Sequence, residues 1–398
     1  MYKVNLVHAA ETTPSKVNRE IGLADVIRNE CPSLAKFSVF KQSPLVPGGH
    51  AQTVFAFLGY YPYYLQSLFK PKFTREIFKL SDGGTVPLDW ALCANHTERP
   101  IVAIISGVTG TSSDFYVRRC QKELLKLQYS VVVVQSRGCS GFKLTSYLPF
   151  HCGSTDDYRE VINDLCKRFP KSPLLGLSFS MGANIMAKYI GEEGDACPLA
   201  AGVIVGNPYD MHKVIKYLDS QSLSFSKFYD IAILNFLKTA FKDNQAQILK
   251  APVKLDAAKI ANASSIMEFT EEMTRKVFGY QSAKDLLDYS SSKNYIDGIK
   301  IPVLFLNSLD DPICIKSLIP FEKFANNPNI VLALTEHGGH IGYMHGIWPT
   351  SWIEYPVSQF FQSALNHYIS RGSLYSGKNE NMVHKTWTTK DEEPIKEK

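Results

Sequence analysis

Residues 174–187 read Leu-Leu-Gly-Leu-Ser-Phe-Ser-Met-Gly-Ala-Asn-Ile-Met-Ala: an apolar run, a serine at 180 among small residues, then a helix-like stretch. A strand that turns this sharply into a helix leaves room only for small side chains around its central residue. The hydroxyl of Ser180 then projects above the sheet beside backbone N–H groups, which is where a nucleophile is useful. Ser178 stands where such turns ordinarily carry glycine, and serine is the next-smallest residue that meets the same steric demand. Taken alone, the segment also reads as an ordinary strand–turn–helix junction.

Two later segments favour the first reading. After the apolar run 301–306 comes Asn307-Ser-Leu-Asp-Asp-Pro312, and after the run 330–334 comes Thr335-Glu-His-Gly-Gly-His340. An acid and a histidine thus each follow an expected strand, in the chain order Ser, Asp, His. The same triad geometry occurs on unrelated folds in three different orders, so the order itself carries information about the fold. The candidate triad is Ser180, Asp311 and His340, with Asp310 as the rival acid. His337 is the rival base, but the glycines at 338 and 339 place His340 at a loop tip. Acyl transfer needs a nucleophile, a base and donors for a developing oxyanion. Those donors are expected to be the backbone N–H of Met181 and, from the loop Ser106-Gly-Val-Thr-Gly110, that of Val108, with Gly107 or Thr109 as alternatives. A phosphate loop is the competing reading of 106–110, and it lacks the Lys-Ser or Lys-Thr such a loop needs. His151 and Asp156 show an H-x-x-x-x-D spacing, but they precede a helix-like segment at 157–168, which gives Asp156 or Ser154 a helix-start role. Arg137-Gly138 reads as a brace for neighbouring loops.

Composition sets the frame. The chain has 398 residues, 45% of them hydrophobic, enough to bury a large core in one α/β domain with an insertion. A formal charge of +5, with the basic residues spread out, gives nucleic-acid binding no support. The 8 cysteines show neither C-x-x-C pairs nor zinc-like spacing with histidine, so they read as free thiols in a reducing compartment, with no metal and no cofactor expected. No signal-peptide core and no run of roughly 18 apolar residues is present. The expectation is an intracellular, cytoplasmic protein that does not span a membrane. The aromatic stretch 55–69 is either a flank that packs on the core or lines the substrate channel, or a peripheral contact with membranes or lipid droplets.

Along the chain, 1–42 reads as a polar N-terminal extension with one helix near 19–30. Segments 73–80 and 85–93, joined by Ser81-Asp-Gly-Gly84, read as a hairpin. Apolar runs at 101–105, 130–135, 173–177, 202–206, 302–306 and 330–334 alternate with helix-like stretches. Such runs are the mark of parallel strands covered on both faces. The core therefore occupies 43–206 and 300–372. Between them, 207–299 carries helical stretches at 228–241 and 266–278, too long for a simple crossover, and reads as a helical lid over an apolar acyl site. The polar tail 373–398 is expected to be disordered.

Gly48-Gly-His-Ala-Gln-Thr53, Asp82-Gly-Gly-Thr-Val-Pro-Leu-Asp-Trp90, Ser106 to Gly110, Ser136-Arg-Gly-Cys139, Ser178 to Asn184, Asp310-Asp-Pro312 and Gly338-Gly-His-Ile-Gly342 together resemble the branch of the α/β-hydrolases called AB hydrolase family 4. The resemblance covers roughly residues 43–370. It implies the α/β-hydrolase fold, a mostly parallel sheet flanked by helices. Members include fungal medium-chain fatty acid ethyl ester synthase/esterases, monoacylglycerol lipases and animal phospholipid-cleaving enzymes. The resemblance thus implies a serine esterase acting on acyl lipids or medium-chain esters, by hydrolysis or by transfer to an alcohol. By motif position it implies the triad Ser180, Asp311 and His340; the Pro312-Ile313 that follows resembles the turn after the acid strand of these enzymes. The chain departs from the family in Ser178, and an N-terminal membrane segment like that of animal members is not expected. The reading from another class is a binding or scaffold protein on the same fold without catalysis.

Overall fold

The computed structural model describes residues 2–9, 22–35, 38–58, 73–139, 141–221 and 225–369. Its centre is a nine-stranded sheet. In chain order the strands are β1 Asn5–Val7, β2 Thr74–Lys79, β3 Thr85–Ala91, β4 Ile101–Ile105, β5 Ser130–Val134, β6 Leu174–Phe179, β7 Ala201–Val205, β8 Val303–Ser308 and β9 Ile330–Thr335. Their spatial order is β1-β9-β8-β7-β6-β4-β5-β3-β2. Strands β4 to β9 run parallel, whereas β1, β2 and β3 pair antiparallel with their neighbours. Every residue of β4 to β9 is buried, as expected where helices cover both faces of a parallel sheet.

The helices are α1 Leu23–Glu30, α2 Gly48–Leu58, α3 Phe115–Lys126, α4 Asp156–Arg168, α5 Met181–Glu193, α6 Met211–Ser220, α7 Phe225–Ile248, α8 Ala257–Asn262, α9 Ile266–Phe269, α10 Ala283–Ser290, α11 Phe321–Asn326 and α12 Glu354–Ala364. One face of the sheet buries α1, α3 and α12 through Ile27, Val117 and Phe361. The other buries α4 and α5 through Val161, Ile162 and Met186. The expected hairpin is present, with Lys79 opposite Thr85 and Gly83 at φ 80° in its turn.

The N-terminal stretch differs from the expectation of a polar lead-in. Its strand β1 extends the sheet beside β9, pairing Val7 with Leu332. Between β7 and β8 the chain builds the helical insertion α6 to α10, with its own core around Phe241, Phe269 and Leu286. In it, α9 continues through a π-turn at Thr270–Thr274. The aromatic stretch beyond Leu58 and the tail from 373 lie outside the described residues. Among the described residues no helix is long and apolar enough to cross a membrane.

Candidate active site

Strand β6 ends at Phe179 and α5 begins at Met181, so one residue makes the whole turn. That residue, Ser180, sits at φ 54°, ψ −121°, a conformation L-residues avoid at a cost of about 1–3 kcal/mol. Its own N–H donates to Val205 O at 2.9 Å, tying the turn to β7. A Cβ at Gly182 would collide with the carbonyl oxygens of Ser106 and Ile105, so the first turn of α5 lies directly against the end of β4. Ser178 is fully buried, and its hydroxyl points at Val203 O at 3.5 Å. The departure from glycine is thus accommodated inside the strand.

The acid and the histidine arrive on the turns after β8 and β9. Ser180 Oγ lies 2.7 Å from His340 Nε2, and His340 Nδ1 lies 2.8 Å from Asp311 Oδ2. His340 and Asp311 are both buried. The other oxygen of Asp311 accepts the N–H groups of Ile313 and Cys314, each at 2.8 Å, which fixes the carboxylate's orientation. Asp310 turns away: its Oδ2 is 3.0 Å from His337 Nδ1, and its Oδ1 accepts Gly339 N–H at 2.9 Å. The two acids and two histidines therefore sort into separate pairs. Among the described residues His340 alone of the four contacts Ser180, with Asp311 behind it.

Sequence reasoning gave no role to Gly48-Gly-His-Ala-Gln-Thr53, and the structure supplies one. This segment opens α2, which packs against both turns. A Cβ at Gly49 would collide with Asp310 O, and one at Gly339 with Gly49 O. Thr53 Oγ1 accepts the N–H of His340 at 2.8 Å and donates to Gly49 O at 2.6 Å. Gln52 donates to Val46 O at 2.7 Å and accepts Met344 N–H at 2.6 Å. The histidine turn is strained, with Ile341 at φ 65°, and these bonds hold it in that shape.

The loop 106–110 lies over Ser180. Gly107 N–H faces Tyr116 Oη at 3.4 Å. Among the described residues neither Met181 N–H nor Val108 N–H meets an acceptor, and both residues border the same cavity as Ser180. The cavity, about 130 Å³, runs beneath the insertion and is walled by Met211, Ile233, Leu237, Phe241, Phe269 and Leu287.

His151 and Asp156 do not form a dyad. Asp156 pairs with Arg159 at 2.6 Å, while His151 Nδ1 accepts Gly153 N–H at 3.2 Å. Burial, reinforced by the charges of Lys188 and Arg137, pushes the His151 ring down to about 3. Ser154 Oγ accepts His151 N–H, and α4 starts at Asp156 without a side-chain cap. Arg137 braces loops as expected, bonding Asp157 at 2.7 Å and Asp82 at 2.5 Å. Asp311, Cys314 and His340 hold ligand-type atoms within 4.8 Å of one another. That donor set does not suit a metal: Asp311 and His340 are committed to each other, and burial, with the Asp311 charge, pushes the Cys314 thiol well above its usual range.

The chain is similar in sequence to known proteins. A family model described as alpha/beta hydrolase fold matches residues 100–346. Phospholipase ABHD3 of Homo sapiens is 30% identical over 304 residues, covering 74% of this chain and 73% of its own length. The embryogenesis-associated protein EMB8 of Picea glauca is 30% identical over 342 residues, 82% of this chain and 73% of that one. Monoacylglycerol lipase of Saccharomyces cerevisiae is 26% identical over 387 residues, 87% of this chain and 85% of that one.

Proposed function

The chain belongs to the α/β-hydrolase fold family, with lipases and esterases among its relatives, and from that premise we propose that it is a serine carboxylic ester hydrolase acting on medium-chain acyl esters or monoacylglycerols. The observation that carries this reading is the continuous contact from Asp311 through His340 to Ser180 at the mouth of an apolar cavity. Ser180 Oγ attacks the ester carbonyl carbon as His340 Nε2 takes its proton. Asp311 keeps the imidazole in the tautomer that leaves Nε2 free and stabilises the imidazolium. The oxyanion is received by Met181 and Val108 N–H. Collapse breaks the ester C–O bond, His340 gives its proton to the departing alcohol, and acyl-Ser180 remains. Water then releases the acid; an alcohol in its place would give a new ester. The helices α6 to α10 act as the lid, with the acyl chain beneath them against Leu237 and Phe241. No step calls for a cofactor or a metal. The substrate's apolarity favours peripheral contact with a membrane or lipid droplet.

A fluorophosphonate reports directly on this reading, because it phosphonylates a serine only when a base has activated it. Stoichiometric labelling that maps to Ser180 and disappears in Ser180→Ala is expected. Labelling elsewhere, or none, would remove the reading.

A further inference from the structure

Helix α7 places Tyr229, Ile233, Leu237 and Phe241 at intervals of four, which lines them along one face. Three of these wall the cavity; Tyr229 is not part of that wall and packs instead on the acid turn. Its neighbours Phe228 and Ile231 are 59% and 49% exposed, whereas Tyr229 is 3% exposed. The ring packs in a cluster with Ile313 and Cys314, the residues whose N–H groups hold Asp311. On its other side the ring stacks on His50 of α2, with centroids 5.9 Å apart and planes 4° from parallel. Its hydroxyl is 3.1 Å from His50 Nδ1. Burial pushes the phenol up to about 12, against the pull of the Thr53 hydroxyl and with the Asp311 charge adding to the rise, so it keeps its proton at working pH. The single hydrogen of Thr53 goes to Gly49 O, and its oxygen accepts His340 N–H. At its far end α7 is fixed to the core independently: Asn244 accepts Leu144 N–H at 2.7 Å and donates to Gly138 O at 2.8 Å.

Resting on the serine-hydrolase reading above, we propose that Tyr229 is a positioning residue for His340. Its phenol fastens the cavity-roofing helix to His50 of α2, and Thr53 of the same helix holds the His340 backbone. Seating the roof over an acyl chain and aligning the base are therefore one event. Tyr229 touches neither substrate nor reacting atoms in this scheme; it acts through Thr53.

The test is a double-mutant cycle on the full chain with Tyr229→Phe, Thr53→Val and the double variant, rates being referred to the folded fraction. Phenylalanine keeps the ring stack and removes only the hydroxyl. The readouts are the rate of Ser180 labelling by a small alkyl fluorophosphonate, and kcat and KM on p-nitrophenyl octanoate. Tyr229→Phe is expected to lower kcat and the labelling rate about tenfold with KM nearly unchanged, and Thr53→Val by at least as much. The double variant should be no slower than Thr53→Val alone, because the phenol acts on His340 through α2 and the Thr53 bond that α2 carries. Losses that multiply, an effect confined to KM, or a Tyr229→Phe labelling rate equal to wild type would overturn the proposal. Failure of the wild-type chain to label at all would instead remove the serine-hydrolase reading, and the proposal with it.

Discussion

Around Ser180, Asp311 and His340 the chain approaches itself at backbone distance, whereas the helices α6 to α10 pack on one another through apolar side chains. At the first site, positions 49, 182 and 339 admit no Cβ, and Thr53 and Gln52 bind the turns by their peptide groups. In the second, Phe241, Phe269, Ile260 and Leu286 form an apolar core of their own above the cavity. Backbone-to-backbone packing tolerates almost no displacement, while an apolar cluster can repack at modest cost. On the proposed function, the difference gives alignment of the reacting groups to the first region and substrate size to the second.

The largest expected effect separates the two acids. Asp311→Asn should lower kcat about 10⁴-fold, as loss of the correct imidazole tautomer does elsewhere. Asp310→Asn disturbs only His337 and Gly339 N–H, and should cost about tenfold or less in steady-state turnover. The reverse ranking would exchange their roles. Next comes Gly339→Ala, at φ 57° and against Gly49 O. A shift of His340 by about 1 Å is expected to lower kcat about 10²-fold, read with p-nitrophenyl butyrate. If turnover survives, the turn is softer than its contacts indicate.

The insertion should respond differently. Phe241→Ala empties a buried site that also walls the cavity, so chemical denaturation should show a loss of about 3 kcal/mol. KM should rise for octanoate and not for acetate. An equal change for both would detach the insertion from substrate length.

Much of this division was legible beforehand. The Val and Ile runs of β4, β5 and β7 announce strands buried on both faces, and each lies within two residues of its expected bounds. The Ser, Asp, His order and the glycines at 338 and 339 pointed to turns that the structure brings together at Ser180. Strand β1 was not legible, because 3 residues on an edge carry no periodicity. Nor was the part played by Thr53, whose bond to His340 spans 287 positions in sequence and depends wholly on tertiary packing. Tyr229 looks like any aromatic on an amphipathic helix until its contact with His50 is seen.

The smallest effect concerns the junction of α6 and α7. Burial, with the charge of Asp230, pushes the Asp219 carboxyl up to about 6, while Lys227, paired with Asp230 at 2.6 Å, pulls it down. The folded pKa lies above the unfolded value near 3.9, so folding takes up a proton between them. That contribution is complete below about pH 4 and is lost as pH rises through about 6. Thermal melts should show the chain losing stability across this window relative to Asp219→Asn, with the variant the more stable at pH 7.5. Parallel profiles would place the acid pair outside the folding transition.

Central to the proposed function is cleavage by Ser180 of esters whose acyl chain lies under the insertion. Hydrolysis of p-nitrophenyl esters from acetate to palmitate, by wild type and Ser180→Ala side by side, tests it most directly. The prediction is a rate that peaks at medium chain length and falls about a million-fold in Ser180→Ala. Equal rates in the two proteins, or no hydrolysis of any ester by wild type, would contradict it.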